Sequence, residues 1–547
     1  MRPGLATRRW LTLAAWTGGG LALAAVFLLI SLSCPGNSDG ANNALQAWDM
    51  LHGNIMLHNW VLGDATYYTF DLPVYAATEI FLGLHVITLH VASALTYLIV
   101  VACAVAVAVT DSRGPARAAR TGVVVAVMAA PLLVHATAST LLGQPDHTGT
   151  TAIVLVAFLL IDRFPDRRFT SPLLCAILCA GQIGDDTVRF VAVPAVLVVS
   201  IYRVLAARKI RVCDSAIAVA AVASVPLATV VRAAMARMGA YLMIAPKTGI
   251  SPPALWPDHA AIAVHSIRLL YGVVLVPAPV LSGAGTALGI AGLLAAALGF
   301  VRAAGTWPSA SRAEQLLCVA IVVNVGAFIL STIPRLNNDY ELVVVLPCSA
   351  ILAARGLVPG RIAGRRAARV IVAVAAAAAL LPLTAAATAP IASQGTSLTS
   401  WLEAHHLRYG LGWYWDASML TVVSDGQVQV CAVTPVRQGI AVYTWETYLP
   451  WFDASRYDAR FVVAPVPDSQ GFTTAVYHDF GRPAAVYRMP DVLILVYRTN
   501  LLKQLIPALP LQAAIARGQA AGVPATRQAG QPSAAWPEPA MAWSGLR

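Results

Sequence analysis

The chain has 547 residues, of which 58% are hydrophobic and 12% charged, with a formal charge of +11. That is about half the usual share of charged residues, and runs of about 20 apolar residues follow one another, which excludes a soluble or disordered chain and identifies a polytopic membrane protein. The Lys and Arg excess lies in the loops between apolar runs, where it reports topology, so no nucleic-acid partner follows from it.

Eleven spans are predicted, at 11–33, 86–109, 121–139, 149–162, 171–184, 188–203, 214–236, 284–301, 315–333, 341–357 and 369–389. Arg2, Arg8 and Arg9 precede the first. Its apolar run is longer than the core of about 7–15 residues of a signal peptide, so it reads as a retained helix. Cations gather on one side of the spans, for example Arg113, Arg117 and Arg120, then Arg163, Arg167 and Arg168, then Arg361, Arg365 and Arg366. The positive-inside bias therefore predicts a cytoplasmic N-terminus. The loop 34–85 and everything after about 390 are expected on the outer face.

The first outside loop is the most informative stretch. From Ser31 to Tyr75 it holds Asp39, Asp49, Asp64 and Asp71, together with His52 and His58, and no Lys or Arg. Trp48, Trp60, Tyr67, Tyr68, Phe70 and Tyr75 are interleaved, so it is too apolar for a disordered linker. Loops longer than about 12–15 residues are commonly functional. Asn37-Ser38-Asp39-Gly40 signals a helix start. Ala41, Ala44, Leu45, Trp48 and Leu51 recur at helical spacing before Gly53, which predicts a short amphipathic helix lying in the membrane interface.

Further along, 239–271 forms another outside loop in which 259–277 reads as a re-entrant or interfacial helix. The organisation expected is a transmembrane domain over 1–390, an extracytoplasmic α/β domain over 391–504 and a disordered tail over 505–547. In the α/β domain, helices are predicted at 398–407, 413–420 and 472–480. Strands are predicted at 427–433, 440–443, 461–463, 484–488 and 492–496. Of the 8 cysteines, Cys34 and Cys431 are expected on the outer face, and no zinc or redox spacing appears.

The outside loops supply the groups for chemistry. A carboxylate can accept a proton from a hydroxyl or hold a metal; for Asp39 the plain alternative is a helix N-cap. Gly143-Gln144-Pro145-Asp146-His147-Thr148-Gly149 offers an adjacent Asp and His for a divalent metal, or a turn and cap. Asp185 and Asp186 stand beside Arg189, which suits mutual neutralisation. Arg335 suits bidentate phosphate binding, or an ion pair with Asp339 or Glu341. Lys247 and Arg268 are further phosphate candidates, and Trp48, Tyr67 and Tyr68 are candidate substrate contacts. His85 and His90 read as packing residues. Trp413, Trp415, Trp445 and Trp451 could stack on sugars or fill the core of the outer domain.

Asp39-Gly40 followed by Leu45-x-Ala47-Trp48-x-x-Leu51-x-Gly53, on a chain of about eleven spans with a soluble C-terminal domain, resembles the GT-C superfamily of integral-membrane glycosyltransferases. The resemblance implies a polytopic α-helical GT-C-like body. It implies an inverting transferase that takes sugar from a polyprenyl-phosphate-linked donor at the outer face of the cell membrane. A cell-envelope glycan, lipid or protein would be the acceptor. Asp39 takes the place of the catalytic base, Asp146 and His147 that of ligands to a divalent metal (Mg or Mn), and Arg335 that of the donor-phosphate contact. Two other readings stay open: a non-catalytic scaffold, and a lipid or glycan transporter, for which mid-span charges are scarce.

Overall fold

A computed structural model describes residues 5–143, 146–207, 212–244, 248–274, 280–336, 338–359, 365–388, 395–436, 439–468 and 471–505. The expected tail from 506 onward and Lys247 lie outside these residues.

The helical body is built from α1 (Leu5–Leu32), α2 (Ser38–Leu51), α3 (Asp71–Leu82), α4 (Val86–Ala108), α5 (Pro115–Ala129), α6 (His135–Ala138), α7 (Thr148–Arg163), α8 (Thr170–Gly184), α9 (Thr187–Ala206), α10 (Val212–Arg237), α11 (Trp256–Leu270), α12 (Val280–Gly305), α13 (Arg312–Leu330), α14 (Val345–Leu357) and α15 (Arg365–Thr388). Each predicted span falls on helix. Among the described residues, 8 helices are long and apolar enough to cross a membrane. The segment expected as a re-entrant or interfacial helix overlaps α11, which starts three residues earlier.

Because lipid tails are as apolar as the side chains, helices in a membrane associate through close packing at small residues. A Cβ on Gly299 of α12 would stand 2.5 Å from the Leu352 carbonyl carbon and the Ala353 nitrogen of α14. A Cβ on Gly122 of α5 would stand 3.3 Å from Ala375 of α15.

The C-terminal unit holds α16 (Thr396–Ala404), α17 (Tyr414–Val423) and α18 (Phe472–Phe480) around a six-stranded sheet. Three short strands join it to the body: β1 (Trp60–Leu62) in the first loop, β2 (Leu242–Met243) after α10 and β6 (Thr447–Tyr448) in the unit itself. β1 pairs parallel with β2 and antiparallel with β6. The large sheet contains β3 (Tyr409–Trp413), β4 (Gln429–Val436), β5 (Gly439–Val442), β7 (Phe461–Pro465), β8 (Ala485–Arg488) and β9 (Val492–Val496), in the order β5-β4-β3-β7-β9-β8. Side chains alternate along the strands. Val462 and Leu495 pack with Phe472 and Val476 of α18, while Phe461, Val463 and Ile494 pack with α16 and α17 on the other face.

Two expectations need correction. The central strand β3 was not predicted, because Tyr-Gly-Leu-Gly-Trp is poor in β-branched residues. Its glycines are there for clearance: a Cβ on Gly410 would stand 2.5 Å from the Phe461 ring, and one on Gly412 2.9 Å from Val430. Nor is the polar face of α2 turned to water. Asn42, Asn43 and Gln46 are buried, because α17 covers that face: Ser418 Oγ donates to Asn42 Oδ1 at 2.7 Å.

Candidate active site

The C-terminal end of α1 leads into Asn37, which caps α2 by accepting from the Gly40 N–H at 2.9 Å. Asp39 is therefore not the cap. It sits in the first turn of α2, half-buried. One of its oxygens accepts from Asn37 Nδ2 at 3.1 Å, and the other accepts from the Tyr414 hydroxyl of the C-terminal unit.

The segment leading into α7 brings Asp146 and His147. His147 adopts a left-handed backbone (φ 54°) immediately before α7. Its Nδ1 lies 2.6 Å from Asp185 Oδ2, and its Nε2 3.6 Å from Glu341 Oε2. Asp185 also accepts from Thr150 Oγ1 at 2.5 Å and from the Thr187 N–H at 2.8 Å. Tyr340 stacks on the His147 ring at 5.9 Å. Asp146 accepts from the Tyr67 hydroxyl at 2.9 Å.

Tyr67 is held there by backbone bonds. The Gly184 carbonyl accepts from the Thr66 and Tyr67 N–H groups at 2.8 and 2.9 Å, and Thr69 Oγ1 donates to the Ala180 carbonyl at 2.8 Å. Tyr67, His147 and Glu446 all carry positive φ without being glycine. Such strain persists only where the surroundings enforce it, and it clusters at functional sites.

Charge is unbalanced here. Asp39, Asp64, Asp146, Asp185, Glu341 and Glu446 act on one another electrostatically, with His147 among them. Burial, with the Asp146 charge added, pushes the Asp39 carboxyl up to about 7 against the pull of the Tyr414 hydroxyl bond. Burial opposes protonation of His147, but Asp185 and Glu341 outweigh it and hold the imidazole well above its ordinary value. Burial likewise opposes ionisation of Asp185, and the His147 charge and hydrogen bond bring it down to about 2. Burial raises Asp71, beneath this cluster, to about 8.

The structure thus joins Asp39, Tyr67, Asp146 and His147 and leaves other candidates elsewhere. Tyr68 donates to the Ile55 carbonyl at 2.9 Å and packs on Tyr241. Trp48 packs on His52 at 4.3 Å, toward the other end of α2. Arg335 is exposed and, among the described residues, pairs with neither Asp339 nor Glu341: Asp339 accepts from Thr140 at 2.7 Å, and Glu341 faces His147. Arg268 is half-buried, with an unpartnered Nε. Asp185 and Asp186 do not neutralise Arg189; Asp186 pairs with Arg232 at 3.0 Å. His85 caps α4 through the Ile87 N–H at 3.1 Å, and His90 packs on Ser31 at 3.0 Å. Trp413 packs on Phe472 and Trp451 on Trp60. The cysteines are free thiols.

Sequence reasoning missed Glu341, Asp185, Tyr414 and Glu446 as partners in one site. For Asp185 and Glu341 the signal was present, since both are carboxylates at the start of a predicted span.

No protein-family model matches the sequence, and no curated protein does. Structures do match. ArnT from Cupriavidus metallidurans, in a crystal structure bound to undecaprenyl phosphate, is 12% identical; the match covers 88% of this chain and 98% of that one, with a TM-score of 0.51. The oligosaccharyltransferase of Archaeoglobus fulgidus, crystallised with Zn and sulfate, is also 12% identical, over 86% of this chain and 72% of that one, with a TM-score of 0.43. On the likeness to ArnT and the architecture above, the chain has the GT-C fold.

Proposed function

We propose that this protein is an inverting glycosyltransferase that moves a sugar from a polyprenyl-phosphate-linked donor to a cell-envelope acceptor. The reaction takes place on the outer face of the cell membrane, with the N-terminus cytoplasmic and the C-terminal domain outside. The observation that carries the reading is Asp39. It is a carboxylate released from capping duty, half-buried at the meeting of the first loop, the second loop and the C-terminal unit, with a carboxyl near 7. General bases work best near the operating pH. That the similarly folded ArnT was crystallised with undecaprenyl phosphate supports the donor class.

Asp39 takes the proton of the acceptor hydroxyl as its oxygen attacks the anomeric carbon. The bond from that carbon to the donor phosphate breaks, and the polyprenyl phosphate leaves with the electron pair. A leaving phosphate needs charge stabilisation more than a proton. Arg335, exposed, and Arg268, with its unpartnered Nε, are the cations proposed to meet it; Lys247 is a further candidate.

Aspartate, glutamate and histidine are ligand types that a divalent cation accepts. Among the described residues no group of three His, Cys, Asp or Glu side chains is drawn tightly enough together to form a complete metal site. His147 nevertheless has its Nδ1 side held by Asp185 while Nε2 and Glu341 face one another at 3.6 Å. Ligating histidines are oriented this way, by a carboxylate on the far nitrogen. Asp146 and His147 are the ligands proposed for such an ion, once His147 gives up its proton. Mg or Mn bound there would offset the crowded carboxylates and stabilise developing phosphate charge.

Asp39→Asn tests the reading. Loss of a general base costs about 10²–10⁴-fold in rate, and since Asp39 is not the cap, α2 should be unaffected. The variant should fold, bind undecaprenyl phosphate and fail to restore the envelope glycans of a deletion strain. Full complementation by Asp39→Asn would overturn the assignment.

A further inference from the structure

The C-terminal unit reaches into this site. Tyr414 opens α17, and its hydroxyl donates to Asp39 while lying 3.1 Å from Glu446 Oε2. Glu446 sits between β5 and β6 in a left-handed backbone (φ 47°) and is 6% exposed. Asn42 of α2 donates to the same Glu446 oxygen at 3.2 Å. Two further bonds tie the unit to the body here: Ser38 Oγ donates to the Tyr414 carbonyl and Ser418 Oγ to Asn42 Oδ1.

A tyrosine hydroxyl has one proton to donate. If Asp39 receives it, Glu446 cannot, and a second buried carboxylate 3.1 Å from the Tyr414 oxygen would stand against a lone pair. The arrangement is satisfied when Glu446 is a neutral acid that donates to Tyr414, which donates to Asp39. Burial and the Asp39 and Asp146 charges favour that neutral form.

Resting on Asp39 as the base, we infer that Tyr414 and Glu446 are positioning residues for it, and that a hydrogen-bonded chain from Glu446 through Tyr414 makes the C-terminal domain part of the catalytic centre. Tyr414 holds one Asp39 oxygen and Asn37 the other, which fixes the plane of the carboxylate toward the acceptor.

The test reads the Asp39 carboxyl directly. Asp39 also faces Asp64 from the first loop, Asp146 from the second, Tyr340 beside Glu341, and Tyr443 from the C-terminal unit, so the titrating band must be assigned. Infrared titration of the full-length protein in detergent, with chelator and without donor, should show a carboxyl band near pH 7 that Asp39→Asn removes. Tyr414→Phe keeps the ring and should move that band upward by at least about half a pH unit, because the ionised form loses a donor. Glu446→Leu should move it upward as well. Glu446→Gln can still donate to Tyr414, though its NH2 cannot accept from Asn42 as the Glu446 oxygen does, and it should move the band less than Glu446→Leu. On lipid-linked sugars extracted from source membranes, kcat of Tyr414→Phe should fall about tenfold with KM unchanged.

A merely structural Tyr414 would change stability and leave the titration where it was. An unmoved band in folded Tyr414→Phe, beside an inactive Asp39→Asn, overturns the chain alone; a fully active Asp39→Asn overturns the base assignment beneath it. If Tyr414→Phe does not fold, the Leu and Gln variants of Glu446 decide, since equal band positions in the two would overturn the chain.

Discussion

The helical body buries charge at both ends, in opposite ways. At the end where α4 and α14 finish, Arg355 is 5% exposed. It donates to the Val107 carbonyl at 2.7 Å and to Ser311 Oγ at 2.8 Å, and it pairs with Asp162 at 3.4 Å. Arg120 donates to the Ala108 and Val358 carbonyls and pairs with Asp111. Asp111 and Asp162 there have arginine partners. At the other end the carboxylates share His147 and tyrosine hydroxyls. Buried charge is tolerated only when paired and hydrogen-bonded. The compensated end is thus built for structure, while the under-compensated end keeps carboxylates free to take up a proton or a cation.

The strongest way to break this contrast is to unbalance the paired end. Arg355→Met would leave Asp162 with only Thr110 Oγ1 at 2.7 Å and the Ala313 N–H at 3.2 Å. Removing one partner of a buried ion pair costs about 3–5 kcal/mol. Thermal unfolding in detergent should show a clearly lower Tm, with the specific activity of the folded fraction retained. An unchanged Tm would mean that Arg355 is dispensable to the fold.

At the acidic end, Asp185→Asn comes next. Asparagine can still accept from His147 Nδ1–H, but the charge that holds the imidazole is gone. Losing such an orienting partner costs about 10–100-fold in metal affinity or activity. Mn²⁺ binding followed by electron paramagnetic resonance, beside transfer assays, would show it. Wild-type values in both would place Asp185 outside the function.

How legible this was from sequence follows from the kinds of interaction involved. The 8 long apolar helices found among the described residues were legible, because apolarity over about 20 residues is a local signal. Asp39 was legible as a lone carboxylate just past the first span, but its cap alternative could be dismissed only by seeing Asn37 Oδ1 accept from Gly40. The Asp185 support of His147 spans 38 positions and the Tyr414 bond to Asp39 375, distances that no periodicity reports. β3 escaped for the same reason, since its glycines answer to Phe461 and Val430 rather than to any local propensity.

The smallest effect, and the one that contrasts the two ends most directly, is pH dependence. For Asp39 the folded carboxyl, near 7, lies above its unfolded value of about 3.9. The native state therefore holds more protons than the unfolded chain between those values, and stability falls as pH rises through that window. Activity runs the other way, because only ionised Asp39 accepts a proton. Lowering pH from about 7 to about 6 should cut kcat/KM about fivefold. Asp111 has the opposite sign. Burial raises its carboxyl, but Arg355 and Arg120 outweigh that and hold it below the usual range, so its contribution is present at neutral pH and is lost as pH falls through its folded value. Unfolding of the chelated protein should therefore show Tm declining from about pH 5 to about pH 8. In Asp39→Asn that decline should flatten, leaving the acid-side loss intact. A decline just as steep in Asp39→Asn would assign it to other carboxylates of the cluster and remove Asp39 as the group that links activity to stability.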